Sequence, residues 1–301
     1  MIRVLHFSDV HLPLPFSRLD RRRLLGKRGL GALNLYLNRI RHFSLAPEKL
    51  AALAAFADTQ RIDAVIFTGD CTNLGTAPEF SAARKALDGL TRAPLGFVPL
   101  PGNHDLYLGD SVGERLFEEH FGEFLESDLP ERSGEGGWPL VRLVSDSVAV
   151  IAVNSAKPNP EIWASNGHVP EEQLKALDRA LRHDAIQGRF VFVATHFAPR
   201  REDGTPDIVL HGLDNGDELL GRCAELRRGA IVHGHIHRRY HLQVPGVSPT
   251  IFNSGSATYE GREGIWVYEV TRDELRAFPG RWSEEHRYVL DASAPVRISL
   301  T

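Results

Sequence analysis

Short apolar runs recur along the chain, each closed by Gly, Pro or a polar residue. Between them lie longer stretches in which Leu and Ala return every three or four positions. The short runs predict buried strands at 2–7, 64–68, 96–100, 140–144, 148–153, 190–195, 230–232, 251–253 and 264–270. The helical period predicts a helix at 47–59, where Leu50, Leu53, Ala54 and Ala57 share a face. A second is predicted at 170–183, with Pro170 and two glutamates in its first turn and Leu174, Leu177 and Leu181 on one side. Others are predicted at 216–228, carrying Leu219, Leu220, Cys223 and Leu226, and at 78–90. Strand and helix alternate early, whereas strand and turn dominate from about residue 230. This order predicts an α/β protein with a sheet-on-sheet core, helices outside, and no linker dividing the 301 residues.

Composition narrows the setting. The formal charge of −4 supplies no global basic field, which argues against a long nucleic acid as partner. Cys71 and Cys223 are the only cysteines, too few for a disulfide framework, so a reducing compartment is expected. The first residues carry only Arg3 before an apolar run that Asp9 and His11 interrupt, unlike a signal peptide or a membrane span. A cytoplasmic location is therefore expected.

The polar residues that follow the strands carry the chemistry. Asp9 and His11 follow the first run. Asp70 follows the second through Gly69. Asn103, His104 and Asp105 follow the third through Pro101 and Gly102. His196 follows the run at 190–195, and His235 and His237 follow 230–232 through Gly234. In open α/β sheets ligands bind beyond the carboxyl ends of strands. Imidazole nitrogens with carboxylate oxygens suit Fe, Mn or Zn, and Cys71 is the only thiol nearby, which argues against a sulfur-rich site. Any one of these motifs alone is an ordinary turn; their joint occurrence, each after a strand, is not.

The set resembles the calcineurin-like metallophosphoesterase superfamily. Asp9-Val10-His11, Gly69-Asp70 with Asn73 and Gly75, Gly102-Asn103-His104-Asp105, Thr195-His196 and Gly234-His235-Ile236-His237 resemble its five motifs. The resemblance implies a four-layer αββα sandwich of two mixed sheets flanked by helices. It implies two metal ions, Fe/Mn or Mn/Mn with Zn as the further option. Asp9, His11 and His237 would hold one ion, Asn103, His196 and His235 the other, with Asp70 bridging. His104 would protonate the leaving group, and Asp105 would orient His104 by a hydrogen bond. A hydroxide bridging the ions would attack phosphorus.

Within the superfamily the spacing is most similar to bacterial class III cyclic-nucleotide phosphodiesterases, through Pro78-Glu79-Phe80, Gly167 before Gln173-Leu174, Leu213-Asp214-Asn215 and Asn253-Ser254-Gly255-Ser256. It departs from that group at Phe197, where a second histidine is common. The expected activity is a phosphodiesterase on a small substrate, 3',5'-cyclic nucleotides among the candidates. Phosphomonoesterase, nuclease and lipid head-group esterase are the alternatives, and a non-catalytic metal-binding scaffold is the alternative of another class. Asn73 and His211 are the candidate substrate contacts, although a turn role suits Asn73 better. His6, Cys71 and His233 read as packed or supporting side chains.

Residues 17–43 read as a basic helical insertion into a single domain. Arg18, Arg21, Arg22, Arg23, Lys27, Arg28, Arg39 and Arg41 face one acid, Asp20, and alternate with Leu24, Leu25, Leu30, Leu33, Leu35, Tyr36, Leu37 and Ile40. Glycines at 26, 29 and 31 predict two short helices instead of one. The segment is read three ways: leucines packed on the protein with solvated arginines, contact with a membrane surface, or a homodimer contact; next to the first metal motif, it is also placed to wall the active site. The second would make the protein peripheral to the inner membrane.

Overall fold

The computed structural model describes residues 1–19 and 21–300; Asp20 lies outside the described residues. Its strands are β1 (Ile2–Phe7), β2 (Ala64–Phe67), β3 (Phe97–Pro99), β4 (Leu140–Ser145), β5 (Val148–Ala152), β6 (Phe190–Ala194), β7 (Gly229–His233), β8 (Arg239–Leu242), β9 (Thr250–Ser254), β10 (Ile265–Val270), β11 (Glu274–Trp282), β12 (Tyr288–Leu290) and β13 (Val296–Ser299). One sheet runs β12-β11-β10-β1-β2-β3, with β13 also paired to β11; the other runs β4-β5-β6-β7-β9-β8. Both are mixed. β1, β2 and β3 are parallel, and β10 is antiparallel to β1. β5, β6, β7 and β9 are parallel, with β4 and β8 antiparallel at the edges.

Side-chain alternation produces the layers. In β6, Phe190, Phe192 and Ala194 join the core between the sheets, and Val191 and Val193 face the opposite side. Ala230, Val232 and Phe252 repeat the inward choice, and Ile231 and Ile251 the outward one. The helices are α1 (Gly26–Asn34), α2 (Ala46–Thr59), α3 (Ala77–Leu87), α4 (Gly109–Gly113), α5 (Leu116–Phe121), α6 (Glu171–Leu181) and α7 (Gly216–Cys223). Leu50, Leu53, Phe80 and Leu87 of α2 and α3 cover the first sheet; Leu174, Leu177, Leu219 and Leu220 of α6 and α7 cover the second. This is the expected αββα sandwich. None of the described helices is long and apolar enough to cross a membrane.

The basic segment differs from expectation in two ways. α1 runs through Gly29 and Gly31 as one helix, then continues as a π-helical turn (Leu35–Arg39) and a 3-10 turn (Ile40–Phe43). The glycines serve packing: a Cβ at Gly31 would strike the Tyr107 hydroxyl, and one at Gly29 would stand 2.6 Å from Leu24 O. Nor do all the leucines pack inward with solvated arginines outside. Leu19, Ala32 and Leu35 are buried, yet Leu25, Leu30, Leu33 and Leu37 are exposed. Arg28 is buried, donating two hydrogen bonds to the Asp110 carboxylate at 2.7 and 2.8 Å and one to Leu74 O.

The helix expected at 216–228 ends at Cys223, because the chain must turn through Leu226 before β7 begins at Gly229. The pattern missed β8 and β11–β13: β11 contains Pro279 and Gly280, which break a strand signal, and β12 and β13 are short.

Candidate metal centre

Five strand ends meet at one edge of the sandwich. Beyond β1, the backbone N–H of Asp9 donates to Gly69 O and that of His11 to Asp70 O, which fixes the first loop on the loop after β2. Beyond β7, His235 N–H donates to Asp9 Oδ2 at 2.9 Å, tying the second sheet to the first. These loops are unusually bent: Asp9, His11, Asp70, His235 and His237 all have positive φ, between 44° and 70°. Such a backbone costs about 1–3 kcal/mol per non-glycine residue and persists where surrounding structure enforces it.

The enforcement is visible. Gly102 lets the loop after β3 approach so closely that a Cβ there would overlap the Asp70 carboxylate. A Cβ at Gly234 would overlap Ser8 and Asp9. Ser256 Oγ donates to Asp9 O at 2.6 Å, and Asn253 Nδ2 donates to Gly234 O at 2.7 Å. His6 and His233 are buried below: His6 meets Tyr268 and Thr68, and His233 meets Asn253.

The ligand-type atoms form two adjoining groups. In one, Nε2 of His11 and Nε2 of His237 face each other at 3.1 Å, with Asp9 Oδ1 also 3.1 Å from His237 Nε2. In the other, Asn103 Oδ1 lies 3.0 Å from His196 Nε2 and 3.1 Å from His235 Nδ1. Asp70 Oδ2 stands between the groups, 3.6 Å from His11 Nε2 and 3.5 Å from His196 Nε2. All seven sequence-derived candidates thus converge.

The remote nitrogens of three rings are committed to backbone carbonyls: His11 Nδ1 to Thr72 O, His196 Nδ1 to Thr68 O and His235 Nε2 to His211 O. Each contact fixes the tautomer and leaves the opposite nitrogen facing the cluster, the arrangement seen in metal-ligating histidines. The set of imidazole nitrogens, carboxylates and one amide oxygen therefore fits a pair of borderline or hard cations.

Electrostatics agree. Burial alone would raise the Asp9 carboxyl, but the His237, His11 and His196 rings hold it well below the ordinary value. Asp70 is likewise lowered, burial being overcome by His196 and His104. Burial disfavours a charged His196, yet the Asp70 carboxylate lifts that ring to about 9. Burial lowers His235 and His237. The cluster thus favours ionised carboxylates deep in the protein, stabilised by the raised His196 ring and by the backbone N–H groups of His235 and His104.

The expected hydrogen bond from Asp105 to His104 is not formed. The Asp105 carboxylate instead accepts from the backbone N–H groups of Asp70, Thr72 and Gly102 at 2.8–3.0 Å, from Cys71 N–H, and from the Thr72 hydroxyl. It stands one residue from His104 but turns inward, where its charge ties down the Asp70 loop. His104 is oriented by Asn73, whose carbonyl oxygen lies 2.6 Å from His104 Nδ1. Asn73 itself is buried, donates Nδ2–H to Leu12 O, and has its own N–H held by Glu79. This places Asn73 under His104 and not among the cleft-lining residues. Cys71 is a buried thiol beside Asp105.

A cleft of about 550 Å³ opens over the cluster, lined by Asp70, Asn103, His104, His211, His235 and His237. His211 does reach it, with Nδ1 held 2.6 Å from Asp207 Oδ2. Asn34, Tyr107, Trp163 and Arg262, which the sequence did not single out, line the cleft together with Lys27 and Arg39. Lys27 and Arg39 come from the basic segment. Its charge was legible, but which of its basic side chains turn inward depends on the helix that its glycines concealed.

Comparison with known proteins bears on this geometry. A family model described as calcineurin-like phosphoesterase matches residues 2–239. A dimetal phosphatase from Danio rerio superposes with a TM-score of 0.65 at 11% identity, over 100% of this chain and 99% of that one. A purple acid phosphatase from yellow lupin superposes at 0.57, also with 11% identity, over 93% of this chain and 51% of that one. At such identities the likeness concerns the fold. No curated protein matches.

Proposed function

The chain belongs to the calcineurin-like phosphoesterases, and on that premise we propose that it is a dinuclear-metal-dependent phosphodiesterase acting on a small substrate. Asp9, His11 and His237 would hold one cation and Asn103, His196 and His235 the other. The observation that carries this reading is the position of Asp70 Oδ2, within 3.6 Å of ring nitrogens from both groups. When bound, such a cation pair neutralises phosphoryl oxygens and lowers the pKa of water from 15.7 toward about 7.

The chain's own residues supply the rest. With Nδ1 donating to Asn73 O, the His104 ring has Nε2 free at the cleft. In this reading that nitrogen carries the proton taken by the departing alkoxide. Burial draws the ring down to about 3 while Asp70 opposes it, and an anionic phosphoester in the cleft acts in the same direction as Asp70. Arg39, Lys27 and Arg262 add positive charge around the bound phosphate. Phe197, where the class III phosphodiesterases often have histidine, is buried with its ring 4.3 Å from that of His235, so it braces a ligand and does not touch substrate.

The test is turnover of bis-p-nitrophenyl phosphate, p-nitrophenyl phosphate and 3',5'-cyclic nucleotides with Mn, Fe or Zn supplied separately. Metal-dependent diester hydrolysis faster than monoester hydrolysis is expected. Faster monoester hydrolysis would make the protein a phosphomonoesterase, and bound metal without any hydrolysis would make it a scaffold.

A further inference from the structure

Three segments at the mouth of the cleft expose large apolar side chains. The basic segment presents Leu25, Leu30, Leu33 and Leu37; a second presents Ile162 and Trp163, and a third Ile208, Val209 and Leu210. Trp163 is 72% exposed and Val209 84%, values that folding alone would not favour for side chains of this kind. The segments form one rim. Lys27 Nζ donates to Asn159 O at 2.6 Å and to Ala164 O at 2.7 Å, which joins the first segment to the second. Ser165 N–H donates to Leu210 O at 2.7 Å, which joins the second to the third. Inside the rim lie Lys27, Arg39 and the metal-ligand cluster. Outside it, the basic segment exposes Arg18, Arg22 and Arg41.

We infer that this rim seats on an anionic lipid surface, and that the substrate is an amphiphilic phosphoester whose phosphate enters the cleft while its hydrocarbon stays in the bilayer. The inference rests on the phosphodiesterase reading and names its substrate class. Leu30, Leu33 and Leu37 follow a helical spacing on the outward face, the inner face being occupied by Ala32 and Leu35. An exposed apolar stripe flanked by arginines, with a Trp at its border, is the pattern of an interfacial segment. A second copy of the chain fits less well. A two-fold contact would place each basic segment against its own like-charged counterpart, whereas an anionic surface complements it.

The experiment uses the full chain with Mn. Its probes are p-nitrophenyl methyl phosphate in solution and p-nitrophenyl hexadecyl phosphate carried in phosphatidylglycerol/phosphatidylcholine vesicles. Co-sedimentation with anionic vesicles, weakened by salt, and preference for the hexadecyl ester are expected. The Leu33→Asp/Leu37→Asp variant, altered outside the cleft, is expected to lose about ten-fold or more of both vesicle binding and that preference, with methyl-ester turnover unchanged. Equal use of the two esters by the wild type, or equal vesicle binding by the variant, overturns the inference. A monomer–dimer equilibrium abolished by the same variant, without vesicle binding, assigns the rim to a second copy and overturns it as well. Failure to hydrolyse either ester would instead defeat the phosphodiesterase reading, with vesicle binding still deciding the rim.

Discussion

His104 Nδ1 lies 2.6 Å from the carbonyl oxygen of Asn73, so the ring is steered by a peptide group and not by its neighbouring carboxylate. The Asn73 peptide is in turn gripped by Glu79, which also accepts from Leu74 N–H and Thr76 N–H at the start of α3. A helix cap thereby sets the direction of the proposed proton donor.

Replacing His104 by Ala should leave metal content unchanged and reduce turnover of an alkyl phosphodiester by about 10²–10⁴-fold. An aryl ester with a good leaving group should lose far less. Metal analysis beside a leaving-group series checks this; equal losses across the series would remove His104 as proton donor.

Asp105→Ala should act on stability before chemistry. It would strand the buried N–H groups of Asp70, Cys71, Thr72 and Gly102, while the Thr72 hydroxyl keeps its bond to His104 O. The expected loss is about 3 kcal/mol or more, read from urea unfolding of the metal-free protein. A variant as stable as the parent would show that water replaces the carboxylate.

Chelation should lower the melting temperature. Ligand at a hundred times its dissociation constant stabilises a fold by about 2.7 kcal/mol, which for a chain of this size is about 4 °C. Scanning calorimetry with EDTA, then with added Mn, measures the loss and its recovery. An unchanged midpoint would mean that the site does not hold metal under those conditions.

The clamp on the basic segment should show in acid. Hydrogen bonds from Arg28 lower the Asp110 carboxyl below its ordinary value of 3.8. A depressed carboxylate contributes stability that is present above the unfolded value and is lost as pH falls through the folded one. Below about pH 4 the wild type should therefore lose stability more steeply than Asp110→Asn. Parallel pH profiles from thermal melts would show the ion pair to be energetically silent.

The site was largely legible in the sequence because its chemistry follows strands. A short run of Val, Ile or Phe fixes where a strand stops, and an Asp or His placed one to four residues later is carried to the sheet edge. Asp9, Asp70, His196 and His235 all obey this. The role of Asp105 was not legible, because spacing cannot say which way a carboxylate turns from a loop; four backbone N–H groups and a hydroxyl decide it. That Arg39 and Lys27 are the basic side chains facing the cleft was not legible for another reason. Their segment carries three glycines, and the close approaches of Gly29 to Leu24 and of Gly31 to Tyr107 that make those glycines fit a helix exist only in the fold. The motifs at 78–80 and 253–256 look like markers of substrate class in a sequence; in space, Glu79 supports Asn73, and Asn253 and Ser256 support the bent loops.

Because His11, His196 and His235 each lean on a peptide carbonyl, no side-chain replacement elsewhere can switch their tautomers directly. Leu33, Trp163 and Val209 stand exposed and outside those ring-to-carbonyl contacts, so what the centre is offered can change there without altering how it works.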